Sequence, residues 1–205
     1  MEPTTVVAVR RRPLVLADLA STALVGDVLL VLAAAGLVGA LAQLAVHIPG
    51  TPVPVTGQTL GVLLAGCALG TRRALAALLV YVALGFAGLP WFAGHSAGWA
   101  GASTGYLFGF VLASAVCGLL AERGADRTLV RAVATMVVGE VCIYGVGLTW
   151  LAVDLHVGAG KALALGFTPF VAGDAIKLAL AAGLLPSAWW LVGRSTGGGA
   201  GASEA

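Results

Sequence analysis

The sequence predicts an all-α integral membrane protein with six transmembrane helices and both termini in the cytoplasm. Three observations predict it. First, 60% of the 205 residues are hydrophobic and only 10% are charged, with a mean hydropathy of +1.01. A soluble domain carries roughly a quarter charged residues, so this surface is not built for water. Second, six apolar segments can be drawn, at 22–46, 58–69, 73–89, 104–121, 130–153 and 167–192. A bilayer core of about 30 Å needs about 20 helical residues, which limits the chain to roughly six spans. Third, Arg10, Arg11, Arg12, Arg72, Arg73, Arg123, Arg127, Arg131 and Arg194 all fall on one side of a six-helix layout. Basic residues gather in cytoplasmic loops, and a five- or seven-helix layout would scatter them.

The same layout divides the chain into a cytoplasmic N-terminal segment (1–21), a six-helix membrane domain (22–193) and a flexible cytoplasmic tail (194–205). No room remains for a nucleotide-binding domain of about 100–200 residues. No nucleic-acid partner is expected. Asp18 and Asp27 interrupt the stretch after the triple arginine, which argues against a cleaved signal peptide. Cys67, Cys117 and Cys142 lie in apolar runs without CxxC spacing and read as small core residues.

The first helix carries Ala35 with Gly39, and Gly36 with Ala40, at small-xxx-small spacing. Small residues four apart let membrane helices approach closely, either within this chain or at a docking face for a partner membrane protein. The second segment is short for a span. It follows Pro49, Pro52 and Pro54, which favour extended backbone at the residues before them. Non-helical backbone at membrane depth is buried in protein or lines a polar cavity. Thr56, Gln58 and Thr59 stand at that mouth, either on a plain hairpin or on a binding loop. The loop GLPWFAGHSAGWAGASTGY places Trp91, Phe92, His95, Trp99 and Tyr106 among small residues. They form an aromatic belt or a lid with aromatic walls.

Four charges lie inside apolar segments: Asp27, Glu140, Asp174 and Lys177. Each costs at least about 2.5 kcal/mol near a bilayer centre, which makes it a functional candidate. Asp27 lies near the cytoplasmic end, within reach of headgroups. Glu140 in VVGEVCIYG is mid-helix. Asp174 and Lys177 share one helical face. As a packing device the pair compares poorly with two leucines, which favours ligand contact. No HExxH, GxSxG or GxxxxGK[ST] occurs, so no enzyme is expected.

In order, PVPVTGQTLGVLLAGCALGTRRAL (52–75), YVALGFAGLPWFAG (81–94), STGYLFGF (103–110), AERG (121–124) and PFVAGDAIK (169–177) resemble the BioY family. That family comprises the biotin-specific substrate-binding (S) subunits of energy-coupling factor (ECF) transporters. The resemblance covers about residues 22 to 193. It implies an ECF S-component fold, biotin capture from the external side, and coupling to a transmembrane T component and two ATPases. It also implies a multi-pass location in the bacterial cell membrane among lipid, with biotin as transported ligand and no cofactor. Carried over by motif, GDxxK falls on Gly173, Asp174 and Lys177, and VTxQTL on Thr56, Gln58 and Thr59, with Gly57 where a larger residue is common. STGY falls on Ser103 to Tyr106, and the loop after GLP brings Phe92 and Ala93. His95, Trp99 and Ser103 depart from the family's glycine-rich run.

The expected binding set is therefore Asp174, Lys177, Gln58, Thr56, Phe92, His95, Trp99, Tyr106 and Glu140, with Ala35, Gly36, Gly39 and Ala40 for partner docking. Biotin carries a cyclic urea, a thioether ring and a carboxylate tail. A buried Asp accepts a ureido N–H and a Lys donates to an oxygen, so the ureido ring is the end assigned to Asp174 and Lys177. Two other readings stand beside this one. They are an S component for another vitamin, such as thiamin or riboflavin, and a self-sufficient proton-coupled carrier using Glu140 and Asp174 as relays.

Overall fold

The computed structural model describes residues 15–20 and 23–197. Arg10, Arg11, Arg12 and the tail from residue 198 lie outside the described residues. After a single turn, α1 (Ala17–Ala20), the chain forms α2 (Leu24–Ala42), β1 (Ala45–Val46) and β2 (Val55–Thr56). Then follow α3 (Gln58–Leu69), α4 (Thr71–Phe86), α5 (Thr104–Glu122), α6 (Leu129–Asp154), α7 (Ala159–Gly166) and α8 (Val171–Gly197). Each of the six apolar segments holds one helix: α2, α3, α4, α5, α6 or α8. Among the described residues, four helical stretches are long and apolar enough to cross a bilayer: Leu24–Ala42, Gly101–Glu122, Leu129–Asp154 and Val171–Val192. At 1.5 Å per residue, the 12 residues of α3 and 16 of α4 span only about 18 and about 24 Å.

The bundle departs from the hydropathy outline at three places. First, α2 stops at Ala42 and residues 45–46 become a strand, pairing Ala45 with Thr56 and Val46 with Val55. The all-α reading thus gains a two-residue ribbon that closes the proline-rich loop. Gln43 ends the helix by sending its amide N–H to the carbonyls of Gly39, Trp91 and Phe92 at 3.0–3.2 Å. Second, α8 runs on to Gly197, past the expected start of the flexible tail. Helical hydrogen bonding continues through polar residues as readily as through apolar ones. Third, Asp27 does not simply face headgroups. Its Oδ1 meets Arg73 Nη2 at 2.9 Å while Arg73 Nη1 meets Asp18 at 2.7 Å, so α1, α2 and α4 share one guanidinium fork.

Between α3 and α4 only Gly70 intervenes, at φ +78°, a region that favours glycine. The sharp turn leaves the Thr71 N–H at the start of α4 to Glu122 Oε1, 2.8 Å away. This carboxylate caps the positive end of the helix. At the centre lies α5, packed against α3, α4 and α6. Its Gly109 lies so close to α6 that a Cβ would stand 2.8 Å from the Ile143 carbonyl oxygen. Running opposite to α6, α8 is tied at two levels to α6 and to the turn before it. The Trp189 indole donates to Asp126 Oδ2 at 2.6 Å near one end, and the Tyr144 hydroxyl donates to Asp174 Oδ2 further along. Apolar side chains cover the outside, with Leu24, Val25, Leu29, Val141, Ile176 and Leu180 exposed. Such faces suit lipid rather than water.

Candidate functional site

A cavity of about 290 Å³ opens at the end of the bundle where α3, α5 and α8 begin. Arg72, Arg73, Arg123, Arg127 and Arg131 stand at the opposite helix ends or turns. Four structures build the walls: the 47–54 loop, the N-terminus of α3, the loop between α4 and α5, and α8 facing α6. Seven of the nine residues expected at the site line it: Thr56, Gln58, Phe92, Trp99, Tyr106, Asp174 and Lys177. His95 and Glu140 do not.

The floor is polar and fully connected. Lys177 Nζ donates to Asp174 Oδ1 at 2.8 Å and to Thr59 Oγ1 at 3.0 Å. The Thr59 hydroxyl donates onward to Asp174 Oδ1 at 3.3 Å. Tyr144 holds the other carboxylate oxygen. Asp174 is 6% exposed, and a charge so placed is tolerable only when paired and hydrogen-bonded. An ammonium has three donors and a carboxylate about four acceptor positions. These contacts leave one N–H on Lys177 and one lone pair on Asp174, the latter on Oδ2.

Gln58 supports this floor rather than extending it. Its Oε1 accepts from Thr56 at 2.9 Å and its Nε2 donates to Tyr81 Oη at 2.8 Å. Both ends of the amide are thus committed within the protein, and Gln58 fixes the relation of the proline loop to α4. The Trp91 indole donates to the Tyr81 carbonyl at 3.0 Å, so the loop after α4 is tied to the same residue. Phe92 is 3% exposed and packs edge-on to Tyr81 and Phe86. Apolar cover continues with Tyr106 stacked on Phe170 and edge-on to Tyr144. The Tyr106 hydroxyl donates to the Gly166 carbonyl at 2.8 Å, tying α5 to the end of α7. At the rim, Trp99 is 65% exposed and stacks on Phe86 and against Trp150. The sequence reading of this loop as a lid or a belt resolves into two roles: Phe92 is wall, Trp99 is rim.

His95 turns outward at φ +60° and contributes its backbone N–H to Gln43 Oε1 at 3.0 Å. Ser96 lines the cavity in its stead. Glu140 is 9% exposed and lines a second, apolar groove of about 980 Å³ between α6, α7 and α8. Neither of its carboxylate oxygens has a hydrogen-bond partner among the described residues. Groove and cavity share two residues, Tyr144 and Asp174, whose hydrogen bond is the wall between them.

Tyr144 and Phe170 escaped the sequence reading. Tyr144 carried a usable signal, being four residues after Glu140 and therefore on its helical face. Phe170 carried none beyond its place before GDxxK. Within the small-residue pattern, Ala35 and Gly39 are buried, with Trp91 lying 3.1 Å from a Cβ built on Gly39, whereas Gly36 and Ala40 are exposed.

A model of the BioY family matches residues 12–194. The chain is 38% identical to a protein of Rhizobium etli named biotin transporter BioY, over 64% of this chain and 75% of that one. It is 41% identical to the probable biotin transporter BioY of Pyrococcus horikoshii, over 68% and 82% of the two chains. To the biotin transporter BioY of Thermotoga maritima it is also 41% identical, over 67% and 81%. In fold it is similar to the crystal structure of the S-component for biotin from an ECF-type ABC transporter. The TM-score is 0.70 at 24% identity, covering 80% of this chain and 90% of the other.

Proposed function

The chain belongs to the BioY family, and from that membership we propose that it binds biotin in the 290 Å³ cavity as the capture step of biotin uptake. It is a transport subunit and not an enzyme. One observation carries the assignment of the site: Lys177 Nζ and the Asp174 carboxylate are joined at 2.8 Å on one wall, with an N–H left over on Lys177 and a lone pair left over on Asp174 Oδ2. In a five-membered cyclic urea the carbonyl and each N–H lie on the same side of their shared C–N bond. Each edge therefore offers an acceptor and a donor next to one another. Lys177 donates to the ureido oxygen while Asp174 accepts a ureido N–H. A neutral ligand thereby answers both charges without separating them, and charge-assisted hydrogen bonds are the strong ones.

The rest of the ligand follows from the cavity's chemistry. Tyr106, Phe92, Phe110 and Phe170 cover the faces of the fused thioether ring. The carboxylate tail points to the rim, where His47, Ser96 and Ser103 supply donors and water is at hand. Burying the tail at the floor would bring a third charge beside Asp174, at a cost the rim avoids.

The basic ends of the helices orient the molecule: cavity outward, both termini cytoplasmic, in a cell membrane. In this reading all six major helices span, α3 and α4 acting as a pair turned at Gly70 within the protein interior, where backbone is shielded from lipid. Biotin then crosses with the help of an ECF T component and two ATPases, and the exposed Gly36 and Ala40 of α2 form the docking face. Isothermal titration of the purified protein tests the reading. Heat on adding biotin and none on adding thiamin or riboflavin is expected; no biotin heat would overturn it.

A further inference from the structure

Glu140 is the buried charge-bearing group that the site leaves over. It stands near the middle of the 26 residues of α6, where an isolated ionised carboxylate is costly. Its level against α8 follows from two contacts along the antiparallel helices α6 and α8, one of them made from the turn just before α6. Asp126 meets Trp189, and Tyr144 meets Asp174. Between these, Glu140 falls level with residues 175–178, the turn that carries Lys177.

The groups around it are few. From α8 come Asp174 and Lys177, and from α6 itself Tyr144 and Cys142. Tyr106 and Cys117 lie on α5. From α3 come Thr59 and Cys67, the latter buried beside Cys117, and α7 lines the groove with Ala159, Ala162 and Leu163. Lys161 of α7 is exposed. Lys177 is thus the cation on the α8 turn level with Glu140; it is bonded to Asp174 at 2.8 Å and faces the cavity, while Glu140 faces the groove. An ionised carboxylate buried without a donor is costly.

We propose that Glu140 is a positioning residue for Lys177. With its proton, Glu140 leaves the ammonium on Asp174, where the pair presents its donor and acceptor to the ureido edge. Without the proton it is an anion level with a lysine on a flexible four-carbon stem. It then draws Lys177 from Asp174 and dismantles the ligand's docking edge. Loss of one proton to water is the whole chemistry, and no other bond is made or broken. The shared Tyr144–Asp174 wall puts this group outside the cavity yet one helical turn from its floor, so it acts on the ligand only through Lys177.

The proposal rests on the biotin reading above, and one experiment separates the two. Biotin affinity is measured from about pH 6 to about pH 9, a range in which buried glutamates titrate. The native protein and Glu140→Gln are compared. The expected result is a fall of at least roughly tenfold in the native protein as pH rises, the size of one hydrogen bond to a charged group, and a flat profile with retained binding in Glu140→Gln. Should the amide variant not be recovered folded, Glu140→Met, an apolar replacement of similar size, gives the same comparison. Parallel profiles in native and variant proteins would overturn the role of Glu140 while leaving biotin capture standing. Absence of biotin binding at every pH would remove both.

Discussion

Phe92 fills the space that a side chain on Gly85 would need: a methyl group added to Gly85 would clash with the tip of the Phe92 ring. The ring sits over the bare backbone of α4, held edge-on by Tyr81 and Phe86, and from there it walls the cavity. Gly85→Ala is therefore expected to push Phe92 toward the ligand. Overpacking costs roughly 1–3 kcal/mol, and much of it can be relieved by moving the 88–103 loop. Biotin affinity should fall by about tenfold or more, while the thermal midpoint in detergent drops by only a few degrees. Unchanged affinity would mean that Phe92 is no part of the wall.

Asp174 and Lys177 offer a sharper separation of stability from binding. Breaking a buried pair by removing one partner costs about 3–5 kcal/mol, because the other charge is left uncompensated. Asp174→Asn or Lys177→Met alone should lower the thermal midpoint and abolish biotin binding. The double variant should recover most of the midpoint and none of the binding. Recovery of both would make the pair a structural bridge beside some other site.

Much of the bundle was legible because membrane helices announce themselves by composition. The boundaries of the second segment, 58–69, coincide with those of α3, bracketed as it is by Gly57 and Gly70. Residues that act through tertiary contacts were not legible. Gln43 ends α2 by bonding carbonyls of a loop far along the chain. Asp27 looked like a headgroup neighbour because its partner Arg73 lies two helices away. The Asp174–Lys177 pair could be read from spacing alone, being three residues apart on one helix. Its partners Thr59 and Tyr144 come from α3 and α6, and only folding brings them to the same carboxylate. His95 shared every compositional feature of its loop with Trp99. Only its positive φ turns it from the cavity.

Asp126, in the turn between α5 and α6, gives a pH signature outside the membrane-spanning helices. Burial pushes its carboxyl above the usual range, and the hydrogen bond from Trp189, together with the charge of Arg127, pulls it back only in part. The folded protein thus keeps this proton to higher pH than the unfolded chain does. The corresponding stability is fully present below the unfolded carboxylate value of about 3.9 and is lost as pH rises through the elevated folded value. Thermal midpoints of the native protein minus those of Asp126→Asn, followed from acid to neutral pH, should decline across that window. A constant difference would show that Asp126 does not titrate anomalously.

The two halves of the small-residue pattern on α2 should fail in different ways. Gly39 lies under Trp91, 3.1 Å from where a Cβ would stand, whereas nothing lies within 4 Å of a Cβ on Gly36. Gly39→Leu must displace Trp91, and with it the Tyr81 anchor of the loop, so loss of biotin binding and of roughly 1–3 kcal/mol of stability is expected. Gly36→Leu adds a side chain to a face already bordered by exposed Leu32 and Leu37, and should leave biotin binding and the thermal midpoint unchanged. Close helix approach across Gly36 and Ala40 would no longer be possible, so the T component and ATPases should cease to copurify with the variant. Copurification at native levels would place the docking face elsewhere on the bundle, and equal damage from both substitutions would mean that α2 serves internal packing alone.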